Sequence, residues 1–420
     1  MSKYNYPRVV VTGMGTVNSI GNNVDEYWKS LVEGKSGAAP IARFDASEFD
    51  TRFACEVKNF DAGQFLNRKE LQRMDPFTHL AISAAAMAIE NSGIDFEKTD
   101  KKRVGVIISS GIGGMWTYHH QQQNLYERGG KADRISPFFI PMLIADIAAG
   151  HVAIRWGLKG PNYATVSACA TSSHSIADAL MLMQRGDADV MVVGGSESVI
   201  CPMGVGGFNA LKALSTRNDS PETASRPFDK DRDGFVMGEG SGVLILETEE
   251  HAKNRGATIY AEIAGFGLTD DAFHITQPAP GGEGAVNSMT QCLKDSNLSI
   301  MDIDYINAHG TSTPFNDKNE TEAIKTVFGE QAYKLSISST KSSVGHLLGA
   351  AGAIEAITTI LAITHGIIPP TINYTTPDPD CDLNYTPNVA VKKEIKAALS
   401  NTFGFGGHNA TVAFKSFEEN

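Results

Sequence analysis

Two segments of this chain share a pattern that strongly restricts its fold: a short apolar run passes through a tight turn into a helix of small residues. In the first, residues 163–166 favour a short buried strand, and residues 172–183 carry apolar side chains at helical spacing. In the second, residues 335–339 lead through a turn into the glycine- and alanine-rich stretch 346–363. Because small side chains allow close packing, we predict a central helix layer covered by a sheet on each face.

Strand and helix patterns alternate along the chain in two similar halves. Apolar strand patterns cover residues 8–12, 103–109, 189–193, 241–247, 258–266 and 303–308, with the first stopped by Gly13 and Gly15. Helix patterns cover residues 24–32, 77–92, 144–156 and 284–296. We therefore predict an α/β protein of two duplicated halves, residues 1–257 and 258–420, stacked in the order helix, sheet, helix, sheet and helix.

The composition narrows the environment and the partners. A net charge of −12 over 420 residues argues against broad nucleic-acid binding. The five cysteines are odd in number and far apart, without a CxxC pair, so neither a disulfide framework nor a thiolate zinc site is indicated. We predict no metal ligands among the site residues and a reducing, cytoplasmic location.

No segment has the pattern of an export signal or a membrane anchor. The N-terminal residues run directly into a strand pattern, without the apolar core and cleavage site of a secretory signal. The most apolar long stretch, residues 346–363, contains His346, Glu355 and two glycines. This stretch predicts a buried helix and no membrane insertion.

Cys169 lies at the first strand-to-helix turn, in the sequence VSACATSSHSIADAL. Backbone N–H groups and the positive end of a helix dipole favour a thiolate, so we expect a lowered pKa for this thiol. The same amides can receive a developing oxyanion. The alternative is that Cys169 is a small buried residue, as most free cysteines are.

Two histidines and a lysine follow strand patterns in the second half. His309 comes directly after residues 303–308, where Gly310 allows a sharp turn, and His346 precedes the apolar helix. Lys341 follows a buried run, so we expect it to be enclosed and paired with Glu355, in place of the usual exposed lysine. A Cys–His pair alone also suits a hydrolase. Two neutral imidazoles aimed at one point favour decarboxylation, because both can donate to a thioester or enolate oxygen.

The segment NTFGFGGHN, residues 401–409, places glycines around Phe403 and Phe405. Such strings are often only tight turns. Here the glycines leave backbone N–H groups bare, and the two rings can shut an apolar channel. We interpret the segment as an oxyanion donor and a lid.

Together with NAHGTSTPFND at His309 and STKSSVGHLLGAAG at His346, these segments resemble the elongating β-ketoacyl-[acyl-carrier-protein] synthases of fatty-acid synthesis. The likeness runs from VVVTGMG at Val9 to the C-terminus and includes SGIGG, ISPFFIP, VGGSE, ALSTRND and RPFDKDRDGFVMGEG. It implies the thiolase fold, with two duplicated halves in five αβαβα layers, and a homodimer. It also implies an acyltransferase that needs no cofactor.

The resemblance assigns roles to residues of this sequence. Cys169 would carry the acyl group as a thioester. His309 and His346 would assist decarboxylation of malonyl-carrier protein, with Lys341 supporting His346. The amides of Cys169 and Phe405 would form an oxyanion hole, and the Phe405 ring a gate.

Four further residues would bind the acyl substrate: Ile112, Thr311, Thr313 and Phe403. Initiating synthases of this family have the catalytic set Cys-His-Asn. His346 stands in the place of that asparagine, which indicates an elongating enzyme. Ile112 resembles the type II enzyme, in which this side chain ends the acyl pocket; the alternative for Ile112 is ordinary core packing. Two residues depart from the family pattern, His408 in place of threonine and Lys212 in place of arginine.

Carrier protein is acidic, so an enzyme of charge −12 must meet it through a local basic patch. The candidates are Arg68, Lys69, Arg73, Lys131, Arg134 and Lys212.

Several alternatives stay open. The chain could serve a specialised polyketide, polyene or aryl-lipid pathway, with a partner like a chain-length factor. It could be such a non-catalytic partner itself, although those subunits lack the nucleophilic cysteine. A thiolase that uses coenzyme A would leave the His309 and His346 loops unexplained. A structural monovalent cation is also compatible with the sequence.

Overall fold

Ten strands form one hydrogen-bonded sheet in the computed structural model, which describes residues 6–419. The strands of the chain are β1 Val9–Asn18, β2 Ala39–Pro40, β3 Phe53–Ala54, β4 Val104–Ser109, β5 Asn162–Tyr163, β6 Val190–Glu197, β7 Gly240–Thr248, β8 Ala261–Asp270, β9 Tyr305–Asn307, β10 Ser336–Ser338, β11 Ile367–Ile368, β12 Val391–Lys392, β13 Ala397–Gly404 and β14 His408–Lys415. Two short pairs, β2 with β3 and β11 with β12, lie outside the large sheet.

Helices connect these strands and cover the sheet. They are α1 Val24–Val32, α2 Arg68–Leu71, α3 Pro76–Ser92, α4 Met115–Glu127, α5 Phe139–Leu143, α6 Ile147–Trp156, α7 Thr171–Arg185, α8 Pro202–Ala210, α9 Glu249–Asn254, α10 Glu283–Asp295, α11 Pro314–Phe328, α12 Lys341–Val344 and α13 Ala351–His365. Their ends follow local signals. Asn23 caps α1 by accepting from Glu26 N, and α3 runs from the Asp75 cap to the left-handed Gly93.

The strand order shows the duplication. Along the sheet, one half runs β5-β4-β6-β7-β1 and the other runs β10-β9-β13-β14-β8. In each half the first three strands are parallel and the last two pairings are antiparallel. The predicted duplication is therefore confirmed by the topology, while the exact division at residue 257 stays a prediction.

The predicted five layers are present, with one difference in how the sheets are joined. α3 and α6 cover the outer face of the first half, α10 and α11 cover that of the second, and α7 and α13 lie between the halves. The strands do not form two separate sheets, because β1 pairs with β8 over Val9–Val11. This short pairing links the two halves edge to edge.

The central helices approach closely. Ala353 N donates to Ser172 Oγ at 2.9 Å, and a Cβ atom added to Gly352 would lie 2.1 Å from Ser173 Oγ. The segment Leu348–His365 is apolar and long enough to cross a membrane, but 89% of it is buried in the protein. It is thus a core helix, as the sequence predicted.

Three local predictions differ from the structure. β1 continues through Gly13 and Gly15, because α3 packs so closely there that only glycine fits. The predicted buried strand 163–166 shrinks to the edge strand β5, and Val166 is 61% exposed. The glycine-rich segment 401–409 is mostly the β13–β14 hairpin, with only its tip irregular.

Candidate active site

Cys169 lies in a single helical turn, Ala168–Ala170, immediately before α7. Its side chain is buried, and Ala168 adopts a left-handed φ of +50° to shape the turn. Ser167 N and Thr171 Oγ1 close this turn by a hydrogen bond of 2.9 Å. The sulfur is thereby held at the N-terminal end of a central helix.

His346 reaches the sulfur from the equivalent place in the second half, just before α13. Its backbone is fixed by His346 N donating to Val236 O at 2.7 Å and by Gly238 N donating to His346 O at 2.9 Å. His346 Nε2 lies 3.0 Å from Cys169 Sγ. The duplication therefore brings two residues 177 positions apart to neighbouring helix ends.

His309 completes the set from the loop after β9. Glu320 on α11 accepts hydrogen bonds from His309 N and Gly310 N, each at 2.8 Å. The rings of His309 and His346 are nearly perpendicular, with centroids 5.4 Å apart. The ligand atoms of Cys169 and both histidines lie within 4.8 Å of one another, so the predicted convergence is present.

Hydrogen bonds to Nδ1 determine the tautomer of both imidazoles. Leu348 N donates to His346 Nδ1 at 3.2 Å, and the ammonium of Lys341 lies 3.2 Å from His309 Nδ1. An amide N–H and an ammonium can only donate, so each Nδ1 is an acceptor. The neutral rings therefore carry their proton on Nε2. His346 Nε2 lies against Cys169 Sγ, and a ring nitrogen of His309 lies within 4.8 Å of the sulfur.

Burial keeps the imidazoles neutral. Desolvation, helped by the charge of Lys341, lowers the pKa of both His309 and His346 well below the ordinary value of 6.5. Two uncharged donors are therefore available at physiological pH. This is the state that the sequence predicted for a decarboxylation site.

The expectation of a lowered pKa for Cys169 is wrong. Burial raises the pKa of this thiol to about 11, although Lys341 and the Phe405 backbone N–H act in the opposite direction. The cost of desolvating a buried thiolate outweighs the neighbouring positive charge. Cys169 is accordingly a thiol at neutral pH and must lose its proton as it reacts.

Lys341 is buried and paired with Glu355, as predicted, but its contacts differ from the expected ones. Its Nζ donates to the Glu355 carboxylate and, at 2.7 Å, to His309 O. With the contact to His309 Nδ1, Lys341 therefore orients His309. It acts on His346 only through its charge, which lowers the pKa of that ring.

A cavity of about 530 Å³ opens onto the three residues. All predicted substrate-binding residues line it, namely Ile112, Thr311, Thr313, Phe403 and Phe405. Apolar side chains that sequence reasoning missed, Phe208, Phe235 and Leu348, also contribute. Phe235 packs edge-on against His346 with centroids 5.3 Å apart. The cavity is thus mainly apolar and suits an acyl chain.

Phe405 lies at the tip of the β13–β14 hairpin, over the sulfur. Its backbone N–H acts on Cys169 by lowering the pKa of the thiol. Gly406 and Gly407 have φ angles of +86° and +83°, which favour glycine and shape the tip. His408, one of the two residues that the sequence analysis set apart from the family pattern, packs against Gly406, and its Nδ1 lies 3.4 Å from Asp270 Oδ2.

The spacing of Cys169, His309 and His346 would also suit a metal ion. The hydrogen bonds to the two Nδ1 atoms oppose metal binding, because they leave the ring protons on the Nε2 atoms. A metal would have to displace those protons and place an N–H against Leu348 N and the Lys341 ammonium. That no metal takes part stays a prediction.

Three buried oxygens behind the site have no hydrogen-bond partner among the described residues: Asn307 Oδ1, Glu355 Oε2 and Ser400 Oγ. Asn307 and Ser400 face each other in the register of β9 and β13, and α13, which carries Glu355, packs on both strands. Asn307 Nδ2 donates to Glu355 O at 3.3 Å. Oxygen atoms are the ligands that hard cations take in proteins, and a structural monovalent cation here stays a prediction.

Two buried glutamates near the site were missed by the sequence reasoning. Glu320 holds the His309 loop, and Glu197, at the end of β6, accepts hydrogen bonds from four groups around the cavity. The sequence did contain a sign of Glu197, namely an acidic residue at the end of an apolar strand pattern. Glu320 could not be chosen from sequence, because α11 also contains Asp317 and Glu322.

The six basic candidates for carrier-protein contact are all exposed: Arg68, Lys69, Arg73, Lys131, Arg134 and Lys212. Lys212 alone among them lines the cavity, where it also pairs with Asp50 at 2.9 Å. The Arg73 guanidinium lies 4.6 Å from the centroid of the Phe138 ring. The arrangement leaves all six side chains accessible to a partner.

Known proteins are similar to this chain in sequence and fold over nearly their whole length. Family models described as the N-terminal and C-terminal domains of beta-ketoacyl synthase match residues 7–252 and 260–375. The 3-oxoacyl-[acyl-carrier-protein] synthase 2 of Synechocystis sp. is 52% identical over 418 residues, covering 100% of both chains. The protein of that name from Staphylococcus aureus is 51% identical, covering 98% of this chain and 99% of its own. A solved type II PKS ketosynthase in complex with its acyl-carrier protein (AntDE:AntF) superposes with a TM-score of 0.92 and 36% identity, covering 99% of this chain and 100% of that one. On the sequence matches and the fold together, this chain belongs to the β-ketoacyl synthase family.

Proposed function

We propose that this protein is an elongating β-ketoacyl-[acyl-carrier-protein] synthase of the second type, an acyltransferase of fatty-acid synthesis. The observation that carries the proposal is the pair of neutral imidazoles, each with its proton on Nε2, that lie beside the Cys169 sulfur in an apolar cavity. Relatives about half identical over full length are named 3-oxoacyl-[acyl-carrier-protein] synthase 2, which supports the same reaction.

In the first half-reaction, Cys169 Sγ attacks the acyl thioester of the carrier protein. As the sulfur–carbon bond forms and the bond from the acyl carbon to the carrier sulfur breaks, the thiol proton passes to the carrier sulfur, which departs as a thiol. The amides of Cys169 and Phe405 lie beside the sulfur and are placed to receive the oxyanion of the tetrahedral intermediate. The acyl chain then occupies the cavity towards Ile112.

In the second half-reaction, malonyl-carrier protein enters beside the acyl-enzyme. His309 and His346 donate from Nε2 to its thioester oxygen, which stabilises the enolate formed as the carbon–carbon bond to carbon dioxide breaks. The carbanion attacks the acyl carbon on Cys169. The Cys169 sulfur leaves as a thiolate and takes up one proton from solvent, which restores the thiol and completes a β-ketoacyl-carrier product that is longer by two carbons.

The partner that we propose is acyl carrier protein, in its acyl and malonyl forms. The solved AntDE:AntF structure contains a ketosynthase with its acyl-carrier protein, which supports this class of partner for the family fold. We further propose that the six exposed basic residues contact it, with Lys212 at the cavity.

We also propose a homodimer in the cytoplasm. The edge strand β5 is exposed at the end of the sheet, with Tyr163 38% and Val166 61% exposed beside it. An exposed apolar edge can pair with a second copy. Sedimentation at micromolar concentration tests the dimer, and Val166→Lys is expected to weaken it.

Reconstitution of the reaction tests the proposal as a whole. Purified protein, an acyl-carrier-protein primer and malonyl-carrier protein are expected to yield a β-ketoacyl product, followed by mass spectrometry of the carrier. The same protein with the coenzyme A thioesters tests the thiolase alternative. The specialised-pathway alternative is less supported, because the polyketide ketosynthase is 36% identical and the synthase 2 relatives are 50–52% identical. Failure to elongate any fatty acyl primer would refute the proposed function.

A further inference from the structure

Glu197 is fully buried at the end of β6, and its recorded partners are all neutral donors. Oε1 accepts from Ser110 Oγ at 2.7 Å and from Ile112 N at 3.3 Å. Oε2 accepts from Gly111 N at 2.9 Å and from Gly349 N at 3.0 Å. A buried carboxylate with four donors is costly to remove, because each donor would be left without an acceptor.

The four donors belong to two segments that serve different parts of the proposed reaction. Gly111 and Ile112 line the cavity, directly after Ser110, which does not line it. Gly349 lies in the turn Leu348–Ala350, where Leu348 N donates to His346 Nδ1 at 3.2 Å and determines its tautomer. Glu197 therefore joins the acyl wall to the segment that orients His346.

The two segments meet closely around this carboxylate. A Cβ atom added to Gly349 would lie 2.2 Å from Gly111 N, and one added to Gly111 would lie 2.9 Å from Glu197 Oε2. The backbones can approach in this way only because both residues are glycines. Because the two backbones are closely packed, a displacement of either segment must also displace the other.

We propose that Glu197 is a positioning residue that fixes the Ile112 wall of the acyl cavity and the His346 imidazole relative to each other. It does not touch the reacting atoms. Its carboxylate acts through hydrogen bonds to the backbone. The bonds to Gly111 N and Ile112 N affect product length, and the bond to Gly349 N affects the malonyl step through the neighbouring Leu348. This inference rests on the proposed condensation.

The substitution Glu197→Gln tests it. The amide has one acceptor oxygen, so it cannot satisfy all four donors and must release part of one segment. We expect kcat of condensation to fall about tenfold while KM for malonyl-carrier protein changes less than about twofold, because the lost bonds orient a group without binding substrate. We also expect the distribution of product chain lengths to shift.

A second variant separates the two segments. Ser110→Ala removes one donor on the Ile112 side and leaves Gly349 bonded. We expect this variant to shift the distribution of product lengths, while kcat with a short acyl primer stays nearly unchanged. If Glu197→Gln does not fold, Ser110→Ala decides the question alone, and an unchanged product distribution would overturn the inference.

The matched control is Glu247→Gln. Glu247 is equally buried on β7, but it pairs with Arg255 and His251 and does not line the cavity. We expect it to lower stability without altering product length or kcat per folded enzyme. An equal shift in product length with Glu247→Gln would mean general destabilisation and would overturn the inference, as would wild-type kinetics in Glu197→Gln. Failure of the wild-type protein to condense would instead refute the proposed function.

Discussion

Replacing Lys341 by methionine is expected to give two separable effects. The variant keeps most of the side-chain volume but loses the ammonium that contacts Glu355, His309 O and His309 Nδ1. Without that donor the His309 tautomer is no longer determined, and Nε2 loses its proton in part of the molecules. Loss of one charge-assisted hydrogen bond of about 1.5–3 kcal/mol corresponds to a condensation rate at least about tenfold lower.

The second effect is a pH-dependent loss of stability. Burial raises the pKa of Glu355 to about 7 from an ordinary value of 4.5, against the lowering effect of Lys341, so removal of the ammonium raises the pKa further. When the pKa of a carboxyl group is higher in the folded than in the unfolded state, the free energy of unfolding falls as the pH rises from the unfolded pKa to the folded pKa. In the wild type this loss ends near pH 7, where Glu355 ionises, but in the variant it continues. The deficit should therefore be small at pH 6 and grow by about 1.4 kcal/mol per pH unit above 7, towards about 3–5 kcal/mol for an unpaired buried charge.

Urea unfolding between pH 6 and 9, at fixed protein concentration, measures this deficit directly. Lys325→Met is the control, because Lys325 pairs with Asp382 at the surface and its loss should cost at most about 1 kcal/mol at every pH. A deficit for Lys341→Met that is the same at pH 6 and pH 9 would refute the buried ion pair. Wild-type condensation by the variant would refute the role given to His309 Nδ1.

Three further outcomes are expected. Cys169→Ala should abolish condensation, whereas Cys201→Ala, at a buried cysteine outside the cavity lining, should keep it; normal elongation by Cys169→Ala would disprove the mechanism. Because burial raises the pKa of Cys169 to about 11, its alkylation by iodoacetamide should quicken about tenfold per pH unit from pH 7 to 9, measured by peptide mass spectrometry. A rate that levels off below pH 8 would instead indicate a stabilised thiolate. Ile112→Phe should shorten the longest product, since Ile112 lines the cavity and the larger ring takes up part of its volume. Mass spectrometry of the carrier-bound products measures the length, and an unchanged length would contradict this expectation.

Much of the site could be predicted because its residues stand beside local signals. Cys169 and His346 each precede a helix of small residues, and His309 follows a strand and a glycine turn. Two copies of one strand order then bring these positions together, so a repeated local pattern predicted a contact across 177 positions. Glu320 and Phe235 could not be predicted in this way, because many acids and aromatics share their surroundings and only the folded chain selects among them.

The amino-acid sequence by itself determined the alternation of strands and helices, the duplicated plan and the reactive set of one thiol and two imidazoles, since these depend on periodicity and on residue type. The tertiary structure alone decided which atoms of the site carry protons. Lys341 contacts Nδ1 of His309 and the Leu348 backbone N–H donates to Nδ1 of His346, which determines the tautomer of each ring. Burial between the two halves raises the pKa of Cys169. The physical reason is that a tautomer or a pKa depends on which groups replace water around an atom, and those groups come from distant parts of the chain.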